Sequence, residues 1–397
     1  MKGRIVDDPA SITPKWMQET LSQVGAGAVA VRRVHVQDLG AGVGQLSRIL
    51  RVHIEGSPSC PPSVVVKLPS ADQRIFHMCR RTALYRREDR FYQRVASTVP
   101  VSVPSILYRE FDDRTHRFVL VMEDLANRCG GPAAGRDQLS GASEAEAITA
   151  VRAAARIHAA HWRTPHGGPR APSAPELAGY QDIFRPAVRL ALQYVYVRNV
   201  PRVRREYPGA LSEEELELVE AFGPSVAALL GSLSQGPRTF IHGDYRLDNM
   251  FFLPEAAGRF AVVDWQASAL GSGLYDVAYF ICTSLTETVR RRVESGLVEA
   301  YHAALVEAGV RDFALGACRQ LYRACVLACL VRMVIVAGSS GIENDRAREL
   351  AVRCLRRTVA AIHGQDAWTG VVGCQGSGIG RVITWLAGRA ARGGSSR

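Results

Sequence analysis

The stretch that most limits what this chain can become runs from residue 239 to residue 265. It reads Phe240-Ile241-His242-Gly243-Asp244-Tyr245-Arg246-Leu247-Asp248-Asn249, then Ala261-Val262-Val263-Asp264-Trp265. Short apolar runs bounded by turn residues read as strands, and Pro254 to Gly258 reads as the turn of a hairpin. Four residues separate Asp244 from Asn249, and the hairpin returns Asp264 to their neighbourhood. A carboxylate that can accept a proton, followed by an amide and a second carboxylate offering hard oxygen donors, suits phosphate chemistry with a divalent cation. The plainer reading is that these acidic residues only form turns. Their order with polar residues further upstream argues against it.

The first upstream residue is Lys67. The chain has three lysines (Lys2, Lys15 and Lys67) against 46 arginines, and only Lys67 lies inside an apolar strand pattern, Val64-Val65-Val66-Lys67-Leu68. A charge there is costly without a partner. Alternation puts Val65 and Lys67 on one side and Val64, Val66 and Leu68 on the other. In the helical pattern that follows, Leu84, Glu88, Phe91 and Val95 share a stripe, which aims Glu88 inward. An inward carboxylate and an inward ammonium on adjacent elements read as a pair; the alternative is two charges reaching for water. Further upstream, Gly40, Gly42 and Gly44 join two strands. Such a turn can lie over phosphates, or it can be a plain hairpin loop. It is neither a Walker A nor a Rossmann fingerprint, because no Gly-Lys-Ser/Thr and no helix follows.

Strands come first and helices later. A short helix opens at Thr13-Pro14. Strands follow over Val29 to Leu39, Leu46 to Ile54 and Val64 to Leu68, then a long helix from Asp72 to Ser97. Two more strands, Ser105 to Phe111 and Arg117 to Glu123, flank the Asp112 to Thr115 turn. After a Gly-rich linker, Ser143-x-x-Glu146 and Ser212-x-x-Glu215 are capping boxes, the first opening a helix to about Trp162 and the second a helix through Leu233. Helices fill Tyr275 to His363. The predicted domains are 1–124, 125–364 and a Gly/Arg-rich tail, 365–397. The nine cysteines include no C-x-x-C pair, so neither a disulfide framework nor a zinc ribbon is indicated. Cys325 and Cys329 read as small core residues. The net charge of +11 invites a nucleic-acid reading, but the arginines are spread out and not interleaved with aromatic residues. No signal peptide is read at the N-terminus. The apolar run Ala324 to Ala337, broken by Arg332, reads as too short to span a membrane. A cytoplasmic location follows as an expectation.

With Asp244, Asn249 and Asp264 in register behind a glycine loop, Lys67 and Glu88, the chain resembles the aminoglycoside phosphotransferase and choline kinase superfamily. The spacing matches the kinase catalytic loop, with His-Gly-Asp and Asp-Trp in place of its usual motifs. Glu88-x-x-Phe91-Tyr92, Val119 to Leu125 and Ile157-His158-Ala159-Ala160-His161-Trp162 look like the ecdysteroid-kinase-like branch. The resemblance implies an α+β, bilobal, protein-kinase-like fold, with a five-stranded antiparallel sheet and a helix in one lobe. The other lobe would be mainly helical with a short catalytic hairpin. It implies ATP and Mg²⁺ as cofactors and a small-molecule hydroxyl as acceptor. Asp244 would be the base or hydroxyl positioner, and Asn249 and Asp264 the metal ligands. Lys67, held by Glu88, would contact the phosphates under Gly40, Gly42 and Gly44. Glu123, Asp124 and Leu125 would form the hinge. His242 and Asp276 would support the catalytic loop, although Asp276 equally suits a helix cap. Asp248 reads as a bystander, and His158 and His161 as core histidines. A protein kinase is disfavoured because no Ala-Pro-Glu-like segment follows Asp264. A non-catalytic nucleotide-binding scaffold is disfavoured by the intact Asp244. The segment from Tyr180 to Tyr207, with Phe184, Leu190, Leu192, Tyr194, Tyr196 and several arginines, favours a neutral or apolar acceptor over a polycationic aminoglycoside.

Overall fold

The computed structural model describes residues 5–23, 29–39, 46–129, 136–163, 174–253, 260–339, 345–365 and 367. Gly40, Gly42 and Gly44, the turn expected over Pro254 to Gly258 and nearly all of the 365–397 tail lie outside these residues. Along the chain, α1 (Pro14–Ser22) precedes β1 (Val31–Asp38), β2 (Ser47–Gly56) and β3 (Ser63–Pro69), then α2 (Gln73–Arg81) and α3 (Leu84–Arg90). β4 (Ile106–Phe111) and β5 (Phe118–Glu123) follow, then α4 (Glu144–Ala160), α5 (Pro186–Glu206), α6 (Glu213–Phe222) and α7 (Val226–Leu233). Four three-residue strands come next or interleave with turns: β6 (Thr239–Ile241), β7 (Met250–Phe252), β8 (Phe260–Val262) and β9 (Ala269–Gly271). The chain continues through α8 (Gly273–Ser284), α9 (Glu287–Glu307), α10 (Leu315–Ala337) and α11 (Asp345–Gly364). It divides into two compact units, Met1–Arg136 with Asn249–Ser268, and Asp137–Asp248 with Ala269–Arg397.

The first unit is built on a five-stranded antiparallel sheet in the order β1-β2-β3-β5-β4. Period-two alternation sorts its residues. Val64, Val66 and Leu68 pack with Leu50, Val52, Ile54, Val119 and Val121 against Trp16 and Met17 of α1. α1 starts where Thr13 Oγ1 accepts from Trp16 N–H and Pro14 occupies the first turn, as its sequence requires. The opposite sheet face carries Val65, packed with Cys79, Tyr85, Phe118, Leu120 and Met122. Lys67 belongs to that face.

The single helix expected over Asp72 to Ser97 is broken. α2 stops at Arg81, Ala83 adopts φ 56°, α3 resumes at Leu84, and Phe91–Val95 form a wide π turn. A left-handed alanine is unfavourable locally, so a tertiary contact must hold it. Tyr85 supplies one: its hydroxyl donates to the Leu46 carbonyl at 2.7 Å and accepts from Ser70 N–H at 3.1 Å. Re-aiming α3 in this way turns both Tyr85 and Glu88 toward the sheet, where each is 1% exposed.

In the second unit both capping boxes form, at Ser143/Glu146 and Ser212/Glu215. The helix expected to run from Ser212 through Leu233 is interrupted at Gly223–Ser225, where Pro224 lacks the N–H a continuous helix needs. β9, absent from the sequence reading, pairs antiparallel with β6. The apolar run around Arg332 also proves longer than expected. α10 has 23 residues, and both it and the Glu213–Leu233 stretch are long and apolar enough to cross a membrane by length and composition. Their apolar windows are 61% and 56% buried inside the fold, and α10 packs against α5, α7, α8, α9 and α11. Cys325 and Cys329 lie in that core, fully buried.

Candidate active site

In the first unit, the inward faces of β3 and α3 meet. Lys67 Nζ lies 2.6 Å from Glu88 Oε2, as the two periodicities imply. A third partner was not foreseen: Lys67 also donates to Asp264 Oδ1 at 2.8 Å. Lys67 and Glu88 are 3% and 1% exposed and Asp264 is 17% exposed, so one cation meets two carboxylates in a largely buried cluster. Burial works against the ammonium, but Asp264 and Glu88 outweigh it and raise the Lys67 pKa. Burial pushes the Glu88 carboxyl up to about 7, against the pull of Lys67 and with the repulsion of Asp264.

Asp264 reaches this position through its neighbours. Its backbone is left-handed, with φ 65°, a conformation that a non-glycine residue keeps only when its surroundings impose it. Trp265 does so: its ring stacks on Phe91 at 4.1 Å and 6°, and its Nε1–H donates to Val262 O at 3.1 Å. Gln266 Nε2 donates to Asp264 Oδ2 at 3.3 Å, and Ser47 Oγ donates to Gln266 Oε1 at 3.3 Å. The β7–β8 pairing brings Asn249 alongside: Val263 N–H donates to the Asn249 carbonyl at 3.0 Å. An amide oxygen and a carboxylate held at the ends of paired strands are hard donors of the kind Mg²⁺ prefers. Among the described residues, no group of three or more His, Cys, Asp or Glu side chains is placed to hold a metal alone. A site here would need ligands from phosphate or water as well.

At the end of β5 the side chains have structural partners. Glu123 accepts from Arg128 at 2.5 and 2.7 Å. Asp124 accepts from Arg51 Nε at 2.6 Å and Ser63 Oγ at 2.8 Å. Leu125 packs with Leu253 and Ala261.

The second unit holds the Asp244 loop. After β6 the chain turns through Gly243, which has φ 78°. Asp276, 1% exposed on α8, accepts from His242 N–H at 2.7 Å and Gly243 N–H at 2.9 Å. His158 Nε2 lies 3.3 Å from the same carboxylate, and Tyr301 lies 2.9 Å from His158 Nδ1. Asp276 thus ties α8 to the backbone of the Asp244 loop. The His242 ring is fully buried, and its Nδ1 accepts from Asp244 N–H at 3.2 Å. Asp248 accepts from Gln138 N–H at 3.0 Å and Arg246 Nη1 at 2.9 Å, which fits its reading as a bystander. His161 lies 3.9 Å from Glu176. Asp244 itself receives Arg332 Nη2 at 2.6 Å and Arg246 Nε at 3.3 Å. The only hint of Arg332 in the sequence was a charge interrupting an apolar helix.

Asp276→Ala would leave two buried N–H groups without acceptors, each worth about 1–3 kcal/mol. We expect the unfolding free energy of this variant to fall by about 3 kcal/mol in urea titrations, and that of Asp276→Asn by about half as much. A loss under about 0.5 kcal/mol in the alanine variant would mean that the loop is held by other contacts.

Residues 31–314 match the phosphotransferase enzyme family. The chain belongs to that family. Its fold is α+β and protein-kinase-like. A mutant aminoglycoside 2'-phosphotransferase-IIIa solved as its GDP complex superposes with a TM-score of 0.50 at 12% identity, over 96% of this chain and 99% of that one. The macrolide 2'-phosphotransferase of Brachybacterium faecium gives a TM-score of 0.45 at 17% identity, over 86% and 97% of the two chains. A 41-residue stretch is 56% identical to mouse acyl-CoA dehydrogenase family member 10, covering 10% of this chain and 4% of that protein. A 40-residue stretch is 50% identical to the human family member 11, covering 10% and 5%. The matches to these curated relatives thus span about a twentieth of their length.

Proposed function

We propose that the chain transfers the γ-phosphoryl group of ATP, with Mg²⁺, to a hydroxyl of a small molecule. The observation that carries this reading is the largely buried Lys67–Glu88–Asp264 cluster, with Asn249 paired alongside through the hairpin. A buried lysine beside two carboxylates has little value as a pure stability device, but it suits a cation held ready for phosphate oxygens. Lys67 would bind the α- and β-phosphates, with Glu88 keeping the ammonium oriented. Asn249 and Asp264 would hold Mg²⁺, which when bound neutralises phosphate charge. Asp244, five residues before Asn249 in the chain, would accept a hydrogen bond from the acceptor hydroxyl and direct its lone pair at phosphorus. A reaction that consumes ATP is consistent with a cytoplasmic location.

For the acceptor we favour a neutral or apolar alcohol. Two acidic residues of α6 support this, because Glu213 pairs with Arg204 and Glu215 closes the capping box. Two of the aromatic side chains expected to face the acceptor are engaged elsewhere: Phe184 packs on Tyr275, and Tyr196 packs on Phe222 while donating to Val219 O. Both belong to the core. Leu190, Leu192 and Tyr194 are half-buried and remain candidates. Mass spectrometry of alcohols, sterols, sugars and aminoglycosides incubated with Mg·ATP should show a gain of one phosphoryl group on a neutral alcohol. Saturable phosphorylation of aminoglycosides alone would overturn the acceptor assignment.

Asp264→Asn and Asn249→Ala should each shift the Mg²⁺ dependence of nucleotide binding upward, by about tenfold for a lost ligand. Titrating Mg²⁺ at fixed ATP checks this, and an unchanged midpoint in either variant would remove that residue from the metal site.

A further inference from the structure

Arg332 sits in the middle of the apolar helix α10, 88 residues beyond Asp244 in the chain. Its side chain keeps 28% exposure, so where its hydrogen-bonding capacity goes is informative. It is used on the Asp244 loop. One Nη donates to the Gly243 carbonyl, and the other donates to Asp244 Oδ1 at 2.6 Å. The guanidinium lies over the Tyr279 ring, 4.6 Å from its centroid. A planar fork stacked on an aromatic face and reaching two acceptors is a role for arginine that lysine does not reproduce. The loop is thus gripped from two helices. Asp276 on α8 takes the His242 and Gly243 N–H groups, and Arg332 on α10 takes the next carbonyl and the carboxylate.

We propose that Arg332 is a positioning residue for phosphoryl transfer, holding the Asp244 carboxylate by Oδ1 in a fixed orientation toward the acceptor hydroxyl. Arg246 also contacts the carboxylate, at Oδ2. Its Nε is 3.3 Å away, while its Nη1 is drawn to Gln138 and Asp248 at 2.8 and 2.9 Å. With Oδ1 bound to the guanidinium, the carboxylate is fixed in direction. Asp244 therefore acts mainly by orienting the hydroxyl, which suffices for a loose transition state in which the proton leaves late. The inference rests on Asp244 being the hydroxyl's partner, and the test separates the two.

The probe is hydrolysis of Mg·ATP by the full chain, with water as acceptor and ADP and phosphate as products. Arg332→Met should lower kcat by about thirtyfold to a hundredfold with the KM for ATP unchanged within about twofold, the pattern of a group acting in the transition state. Arg332→Lys should recover only part of the loss, and added guanidinium should partly restore Arg332→Ala, which a misfolded variant would not permit. Adding Arg332→Met to Asp244→Asn should cost little more than Asp244→Asn alone, because the two residues act as a unit. Turnover of Arg332→Met within about threefold of wild type, while Asp244→Asn is inactive, would overturn the inference alone. Full multiplication of the two losses in the double variant, or no rescue by guanidinium, would overturn it as well. Turnover retained in Asp244→Asn would overturn the assignment of Asp244 itself.

Discussion

Asp244→Asn should lower turnover by about a thousandfold while leaving nucleotide affinity within about twofold of wild type. The amide keeps the shape of the carboxylate and can still accept from Arg332, so the loop braced by Asp276 should persist. What is lost is a charged acceptor for the hydroxyl, an interaction that counts mainly in the transition state. The deficit should therefore lie in kcat, measured by ADP release, and not in a fluorescent-nucleotide titration. Turnover within about tenfold of wild type would remove Asp244 from the chemistry. Weakened nucleotide binding with unchanged turnover would move it to a binding role.

Lys67→Met should be the most disruptive single change to the first unit. It leaves Glu88, 1% exposed, without its cation and facing the Asp264 carboxylate. Breaking a buried pair on one side costs about 3–5 kcal/mol. The cost has a definite pH dependence. With Lys67 gone, burial and Asp264 both raise the Glu88 pKa, which already stands at about 7 beside the lysine. Unfolding returns that carboxyl to its ordinary value near 4.5. Between the two values the folded state keeps a proton that the unfolded state has released, so stability falls as pH rises. Wild type shares that fall up to about pH 7, so the deficit relative to it should be flat from about pH 5 to 7 and larger near about pH 8 in urea titrations. Glu88→Gln in the same chain should recover most of it. An equal deficit near about pH 7 and about pH 8 would mean that Glu88 is not the group left stranded. Activity should fall together with stability, since the same ammonium is assigned to the phosphates.

The elements that were legible in the sequence are those set by local rules. Alternation over Val64 to Leu68 places Lys67 on one sheet face, and the stripe through Glu88 turns a carboxylate toward it; the 2.6 Å contact follows from those two periodicities. The two capping boxes and the Thr13-Pro14 start are equally local, because each depends on side chains within one helical turn of their partners. What only the tertiary structure decided depends on residues far apart in the chain. Nothing near Ala83 announces its left-handed backbone; the hydroxyl of Tyr85, bonded to Leu46 and Ser70 across the sheet, overrides the local preference for helix. Nothing in the spacing around Asp264 directs it to Lys67, 197 residues away; the stacking of Trp265 on Phe91 does that. Nor does the sequence around Arg332 say that its guanidinium would close on Asp244. A periodicity reports which way a side chain faces. Which partner it meets is settled only when separate elements pack, because burial then compels each inward charge to find its counter-charge.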